Sequence, residues 1–125
     1  MKGKSNLFNN KDYIPSLPDD ISRSQKNRII DGYTKIHDHI TEKDIEGAIR
    51  DITGKPIPDG KGGTYQHYKE GDEAINGLKK ERDSLVKSIN NPNMTPKVEK
   101  AIKDSIHDFE IQINRWEKIK EEYKK

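Results

Sequence analysis

Residues 39–70, HITEKDIEGAIRDITGKPIPDGKGGTYQHYKE, gather side chains that can carry out acid–base and phosphate chemistry. The two histidines, His39 and His67, can exchange a proton near neutral pH. Nearby carboxylates can orient or assist an imidazole, and fixed cations can stabilise a negatively charged phosphate. This stretch therefore contains the three kinds of group that cleavage of a phosphodiester without a metal requires.

His67 is the strongest candidate because of its place in the chain. It follows a Gly-Gly loop and lies just before, or within, the first turn of a predicted long helix. Reactive side chains are often placed on loops beside rigid elements, and a phosphate can approach the free N–H groups of a helix start. The alternative interpretation is that His67 and Tyr65 only cap and staple this helix.

The candidate phosphate ligands lie on the preceding helix and loop. Arg50 can bind a phosphate through both arms of its planar guanidinium, and Lys55 and Lys61 can attract a polyanion. The alternative for Arg50 is a favourable position at a helix C-terminus, where it can pair with a nearby Asp. The two lysines can equally be ordinary surface residues.

A metal site is the weaker prediction from this sequence. The chain has no cysteine, which excludes thiolate zinc sites, disulfides and cysteine nucleophiles. His37, Asp38 and His39 offer metal ligands, but without a further ligand at recognisable spacing. Exposed loop histidines are the simpler interpretation of this cluster.

Composition predicts a small helical domain. The chain has 125 residues, 37% of them charged and 29% apolar, with a net charge of +2 and no evident repeat. Helices can form a core from so few apolar residues because each buries only one stripe. No apolar run is long enough to span a membrane, so no membrane insertion is expected of this domain. The domain is also expected to be monomeric.

Local signals place the first elements. Residues 1–20 are polar and contain two prolines, which predicts a flexible arm or linker before a single domain over residues 21–125. A first helix is predicted from about Ser24, weakened by Gly32. A second helix is capped by Thr41 and Asp44. Residues 51–64, rich in Gly and Pro, are expected to form either a small β-hairpin or an ordered loop.

Two long amphipathic helices follow and predict an antiparallel αα-hairpin over residues 66–125. Thr95 and Pro96 suit the cap and first position of the last helix. The predicted buried stripes are Ala74, Ile75, Leu78, Leu85, Val86 and Ile89 on one helix, and Val98, Ile102, Ile106, Phe109, Ile113, Trp116, Ile119 and Tyr123 on the other. The predicted fold is mainly α, with short N-terminal helices and the Gly/Pro-rich loop packed on this hairpin.

The central stretch resembles the polymorphic toxin type 28 domain of bacteria. The matching positions are His39-Ile40-Thr41, Asp44, Gly47, Arg50-Asp51, Gly54, Pro58, Gly62-Gly63, Tyr65, His67 and Glu70. The resemblance covers about residues 37–90 closely and the last helix more loosely. One departure is the loop PDGKGGTYQH, with Asp59-Gly60 where a longer Lys/Pro-rich loop is common.

The resemblance implies a function. Such domains lie at the C-terminal end of large secreted bacterial proteins, including contact-dependent inhibition and Rhs-type toxins, and are regarded as ribonucleases neutralised by a cognate immunity protein. The expected activity is metal-independent cleavage of RNA, with tRNA one candidate substrate, in the cytoplasm of a target cell. RNA and an immunity protein are the expected partners, and no cofactor is expected.

The residues expected to carry this activity all lie within the active-site segment 39–70. His67 is one acid–base partner, with His39 or Glu70 as the other, and Asp44 or Asp51 orients a histidine or the arginine. The expected substrate-binding residues are Arg50, Lys55, Lys61 and Tyr65.

Two other function classes remain open from sequence. The first is a non-catalytic helical-hairpin binding module of a secretion system, in which segment 39–70 is a structured cap. The second is a metal-dependent DNase toxin that uses the cluster of His37, Asp38 and His39.

Overall fold

Four helices form the described part of the chain, which in this computed structural model covers residues 12–124. They are α1 (Arg23–His39), α2 (Glu42–Ile52), α3 (His67–Ser88) and α4 (Pro96–Tyr123). No β-strand occurs among residues 12–124, and an isolated antiparallel bridge joins Pro58 to Thr64. The predicted mainly α fold is confirmed.

Helices α2 and α4 begin at the capping residues that the sequence predicts. The hydroxyl of Thr41 accepts a hydrogen bond from the Asp44 N–H, and the Asp44 carboxylate accepts one from the Thr41 N–H, which completes a capping box. Ile40 and Ile45, on either side of this cap, are both buried. The Thr95 hydroxyl caps α4 in the same way by accepting from the Val98 N–H.

The α3–α4 hairpin holds most of the core, with α1 packed across both helices and α2 mainly on α3. Trp116, Phe109 and Ile102 of α4 are fully buried. Two positions of the predicted stripes are wrong, since 46% of Val86 and 38% of Tyr123 are exposed. Val86 lies one residue from buried Leu85, about 100° around the helix, and Tyr123 is the last residue of α4, where less of the chain remains to cover it.

Gly32, which weakens the prediction of the first helix, is the point at which α1 packs closely against α4. A Cβ at this position would lie 2.2 Å from Cζ of Phe109, so the absence of a side chain lets the ring sit directly on the α1 backbone. The next residue, Tyr33, donates a hydrogen bond to Asp108, with 2.5 Å between the oxygens. Burial and this carboxylate raise the pKa of Tyr33 well above its usual range.

A buried carboxylate ties α1 to α3. Glu81 is 5% exposed and accepts hydrogen bonds from Arg28 and Lys35, at 3.1 and 3.2 Å. Two cations beside it compensate the cost of removing its charge from water. The aliphatic part of Lys35 reaches Glu81 by crossing Gly77, where a Cβ would lie 2.5 Å from its Cε atom.

Residues 12–20, within the predicted arm, make specific contacts. The Tyr13 ring stacks on His37 with centroids 4.0 Å apart, and Leu17 packs against the core. The Asp20 carboxylate accepts a hydrogen bond from the Thr95 hydroxyl at 2.8 Å. The first eleven residues of the predicted arm, like residue 125 at the end of the hairpin, lie outside the described residues.

The Gly/Pro-rich segment is an ordered loop that a single β-bridge closes. Backbone hydrogen bonds join the N–H of Asp59 to the carbonyl of Gly63 and the N–H of Tyr65 to the carbonyl of Ile57. At the tip, Gly60 has a φ of 80°, a conformation that a residue with a side chain rarely adopts. This closure fixes where the chain enters α3.

Candidate active site

The ring of His67 lies directly on the backbone of α2. A Cβ at Gly47 would be 2.4 Å from Nδ1 of His67, so only a glycine leaves room for the imidazole. His67 is half-buried, and its Nδ1 atom is enclosed without a hydrogen-bond partner among the described residues. The packing therefore places Nδ1 on the protein side of the ring and Nε2 on the open side.

Two carboxylates lie on the same side of α2 as Gly47. Asp44 is three residues before Gly47 and Asp51 four residues after it, which places all three along one helix face. Oδ2 of Asp44 accepts hydrogen bonds from the Thr41 N–H and hydroxyl, at 3.0 and 2.7 Å. Asp44 thus fixes the start of the helix on which His67 rests.

Asp51 holds the start of α3. Its Oδ2 accepts a hydrogen bond from the N–H of Tyr68 at 2.9 Å. Gln66, the N-cap residue of α3, makes no side-chain capping bond within the described chain. The two helices that flank the loop are therefore joined at the residue that follows His67.

Trp116 supports the same helix start from the other side. Its ring stacks on Tyr68 at 5.7 Å and approaches α3 at Gly71, where a Cβ would lie 2.3 Å from the indole. The indole N–H donates to Asp72 at 3.0 Å. Partial burial would raise the pKa of Asp72, but the bonds from Trp116 and Lys120 outweigh it and hold that pKa below its usual range.

Sequence periodicity identified Trp116 as core but not its relation to the candidate site. Gly71, inside α3 and one turn after His67, is the residue from which the close approach of Trp116 could have been predicted. A mid-helix glycine that is costly for the helix often marks a close approach by another group.

A shallow groove of about 330 Å³ lies at the start of α3, where the residues on either side of His67 in the chain line it. Its lining residues are Asp51, Pro56, Thr64, Tyr65, Gln66, Tyr68 and Lys69. Tyr65 is 50% exposed, and its ring centroid lies 5.4 Å from that of His67. An exposed aromatic ring beside an imidazole offers a surface on which a nucleobase can stack.

Glu70 and the cations of the loop are exposed to solvent. Glu70 is exposed and falls three residues after His67 on α3, which puts both on one face of the helix. Lys55, Lys61 and Lys69 are also exposed. Lys69 lines the groove, and Lys55 and Lys61 add positive charge to the exposed loop before α3.

Arg50 is held by the loop. Its Nε donates to the carbonyl of Lys55 at 2.8 Å, and the N–H of Lys55 donates back to the carbonyl of Arg50. Arg50 lies in the last turn of α2, where a cation suits the helix C-terminus, and no ion pair to an Asp is found for it among residues 12–124. The exposed guanidinium keeps its two terminal nitrogens for a ligand.

His39 is not among the residues that line the groove. It is the last residue of α1, and no hydrogen bond or ring contact within residues 12–124 connects it to His67. The expectation that His37 and His39 lie on a loop is wrong, because both belong to the last turn of α1. Residues two apart on a helix point away from each other, which separates the two imidazoles.

The structure gives no support to a metal centre at this cluster. His37 stacks on Tyr13 and its Nδ1 lies 3.1 Å from Oδ1 of Asp38. Over residues 12–124, no three His, Asp or Glu side chains come together in a way that would hold a metal ion.

The arrangement agrees with a family match. The model of the bacterial toxin 28 family matches residues 20–122. The chain belongs to this family. The match includes all of α1 to α3 and nearly all of α4, so the toxin 28 domain contains the complete candidate site.

A curated relative carries a more specific name. The tRNA nuclease CdiA of Escherichia coli O6:K15:H31 (strain 536 / UPEC) is 30% identical over 98 residues, which is 78% of this chain. The same region is 3% of the relative's length, so the chain corresponds to a small part of that protein. In the described part of this toxin 28 chain, no helix combines the length and apolarity needed to cross a membrane.

Proposed function

We propose that this toxin 28 domain is a ribonuclease that cuts RNA without a metal ion. The observation that carries the proposal is the setting of His67, whose ring is fixed on Gly47 with Nδ1 enclosed, which leaves Nε2 as the ring nitrogen that can meet a ligand. An imidazole held in this way can transfer a proton to or from a group bound in the groove. The tRNA nuclease name of the CdiA relative supports tRNA as the first substrate to examine.

The chemistry uses the 2′-hydroxyl of RNA as the nucleophile. One group removes the 2′ proton, the 2′-oxygen bonds to phosphorus, and the bond from phosphorus to the 5′-oxygen breaks as a second group protonates that oxygen. The products are a 2′,3′-cyclic phosphate and a 5′-hydroxyl. DNA lacks the nucleophile, so the activity is specific for RNA.

Glu70 is the better partner for His67 in this reaction. It is exposed and lies on the same face of the first turn of α3 as His67, whereas His39 is the last residue of a different helix, α1. The Arg50 guanidinium and the ammonium groups of Lys55 and Lys61 bind the phosphates, and Tyr65 stacks on a base. Asp44 keeps α2 in place beneath the imidazole.

The biological setting follows from the family. We propose that the domain is the C-terminal part of a larger secreted toxin that acts in the cytoplasm of a target cell. A cognate immunity protein would cover the surface of residues 39–70. Because that surface exposes Arg50, Lys55, Lys61 and Lys69, its inhibitor is expected to present carboxylates there.

Purified domain should cut RNA in EDTA and leave 2′,3′-cyclic phosphate ends, because the proposed acid, base and cations are all side chains. The measurement is gel analysis of total RNA and purified tRNA, followed by end-group analysis, with single-stranded DNA of the same length as the control. Products with 3′-hydroxyl ends, or activity that returns only with a divalent ion, would support the metal-dependent nuclease. An intact RNA pool would support the binding module.

Arg50→Lys should lower RNA cleavage about tenfold although the charge is kept, since lysine lacks the fork that binds two phosphate oxygens. The melting temperature should change little, because one exposed hydrogen bond contributes about 1 kcal/mol. The matched control is Arg82→Lys on α3, whose Nε donates to Asp83 at 3.0 Å away from the groove. Equal activity of the two variants would remove Arg50 from the site.

A further inference from the structure

Lys124, the C-cap residue of α4, brings a cation to the groove at the start of α3. Its ammonium donates a hydrogen bond to the hydroxyl of Tyr68, with 3.1 Å between Nζ and the oxygen. The same Nζ lies 4.6 Å from the centroid of the Tyr68 ring. Because Tyr68 lines the groove, the contact places a positive charge from α4 beside it.

Tyr68 is a fixed support for this cation. Its ring stacks on fully buried Trp116, with centroids 5.7 Å apart, and its backbone N–H donates to Asp51 at 2.9 Å. A long side chain that already rests on such a ring loses less freedom when it binds a ligand than one extended in water. Lys124 is therefore preorganised beside the groove.

The charge of Lys124 is not neutralised by a carboxylate in the described chain. Lys120, one turn earlier on α4, pairs with Asp72 at 3.4 Å, whereas no Asp or Glu of residues 12–124 makes an ion pair with Lys124. An ammonium has three N–H donors, and the Tyr68 hydroxyl accepts only one of them. The phenol also keeps its own O–H to donate. Such donors suit the oxygens of a phosphate.

We propose that Lys124 and the hydroxyl of Tyr68 form a second phosphate-binding subsite, which holds an RNA phosphate next to the one that is cleaved. His67 and Tyr68 are consecutive on α3, so their side chains leave the helix about 100° apart. One ring rests on α2 and the other stacks on α4. An RNA strand cut at His67 would therefore bring a neighbouring phosphate to Tyr68. The inference rests on the proposed ribonuclease function.

This subsite adds a cation from a different part of the fold. The substrate-binding cations proposed above, Arg50, Lys55 and Lys61, all belong to α2 and the loop that follows it. Lys124 is 56 residues beyond its partner Tyr68 in the chain. Its place at the groove depends on the packing of α4 against α3.

The test is the salt dependence of tRNA binding, measured by fluorescence anisotropy in a His67→Ala background that should bind tRNA without cutting it. Adding Lys124→Gln should make the slope of log Kd against log salt concentration shallower by about 0.7–0.9, the value of one phosphate contact. In protein that retains His67, the substitution should raise KM roughly fivefold near physiological salt. The kcat should change little, because a neighbouring phosphate is held equally in the ground and transition states.

Lys97→Gln is the matched control. It removes the same charge from an exposed position at the opposite end of α4, about 40 Å away along the helix. Charges at that distance are screened by salt, so the control should keep the wild-type slope. Lys124→Arg retains a cation and should also keep it. A purely structural role for Lys124 would instead lower the melting temperature and leave the slope unchanged.

Equal slopes for Lys124→Gln and Lys97→Gln, in a protein that binds and cuts tRNA, would overturn the subsite and leave the ribonuclease proposal standing. If the protein with His67 cuts no RNA, the proposed function fails. The slopes would then still decide whether Lys124 contacts a phosphate, and a protein that binds no RNA would reject both proposals.

Discussion

Replacing His67 with alanine is expected to lower RNA cleavage by about 10²–10⁴-fold, the usual contribution of a general acid or base. The fold should persist, because the half-buried ring makes no hydrogen bond through Nδ1 to the described residues. The measurement is the initial rate of cleavage of purified tRNA by folded protein, with circular dichroism as the check on folding. In cells, induction of the variant should no longer stop growth.

His107→Ala is the matched control for this result. His107 is exposed on α4 and lines a separate cavity together with Pro15 and Tyr33. Its loss should leave the rate within about twofold of wild type, since surface substitutions away from special features change little. A folded His67→Ala protein that cuts RNA as fast as this control would exclude His67 from the reaction.

Gly47→Ala is expected to reduce the rate by roughly 10²-fold, the effect of displacing a catalytic group by about 1 Å. On an open helix this substitution would add about 0.5–1 kcal/mol of stability. Here the new Cβ would lie within 3 Å of three atoms of the His67 ring, so the ring must move or rotate. Activity should therefore fall far more than the melting temperature.

Gly77→Ala is the control that separates the contact of the new Cβ with His67 from the general effect of alanine in a helix. Its Cβ would meet Cε of Lys35, at 2.5 Å, which belongs to a flexible side chain that can move. Cleavage should remain near wild type in this variant. Equal rates for Gly47→Ala and Gly77→Ala would show that the position of His67 over Gly47 is not needed for activity.

The sequence by itself determined the elements that depend on neighbours in the chain. The Thr41–Asp44 capping box and the Thr95-Pro96 start of α4 are bonds between residues three apart, so they can be recognised from spacing alone. The apolar stripes of α3 and α4 follow helical periodicity in the same way. Family resemblance then singled out segment 39–70, within which the structure places the rings of Tyr65 and His67 side by side at the start of α3.

Only the tertiary structure decided which of these residues can act together. His39 and His67 both remain acid–base candidates from sequence, but one ends α1 while the other rests on α2. Asp51 directly follows Arg50 in the sequence, but its carboxylate accepts the hydrogen bond of the Tyr68 N–H at the start of α3.

The glycines show the physical reason most directly. Gly32, Gly47 and Gly71 appear in the sequence as weak points in helices, yet each is where an aromatic or imidazole ring meets the backbone of another helix. Such a contact depends on the angle and distance between helices, which packing of the whole core sets and which no local spacing records.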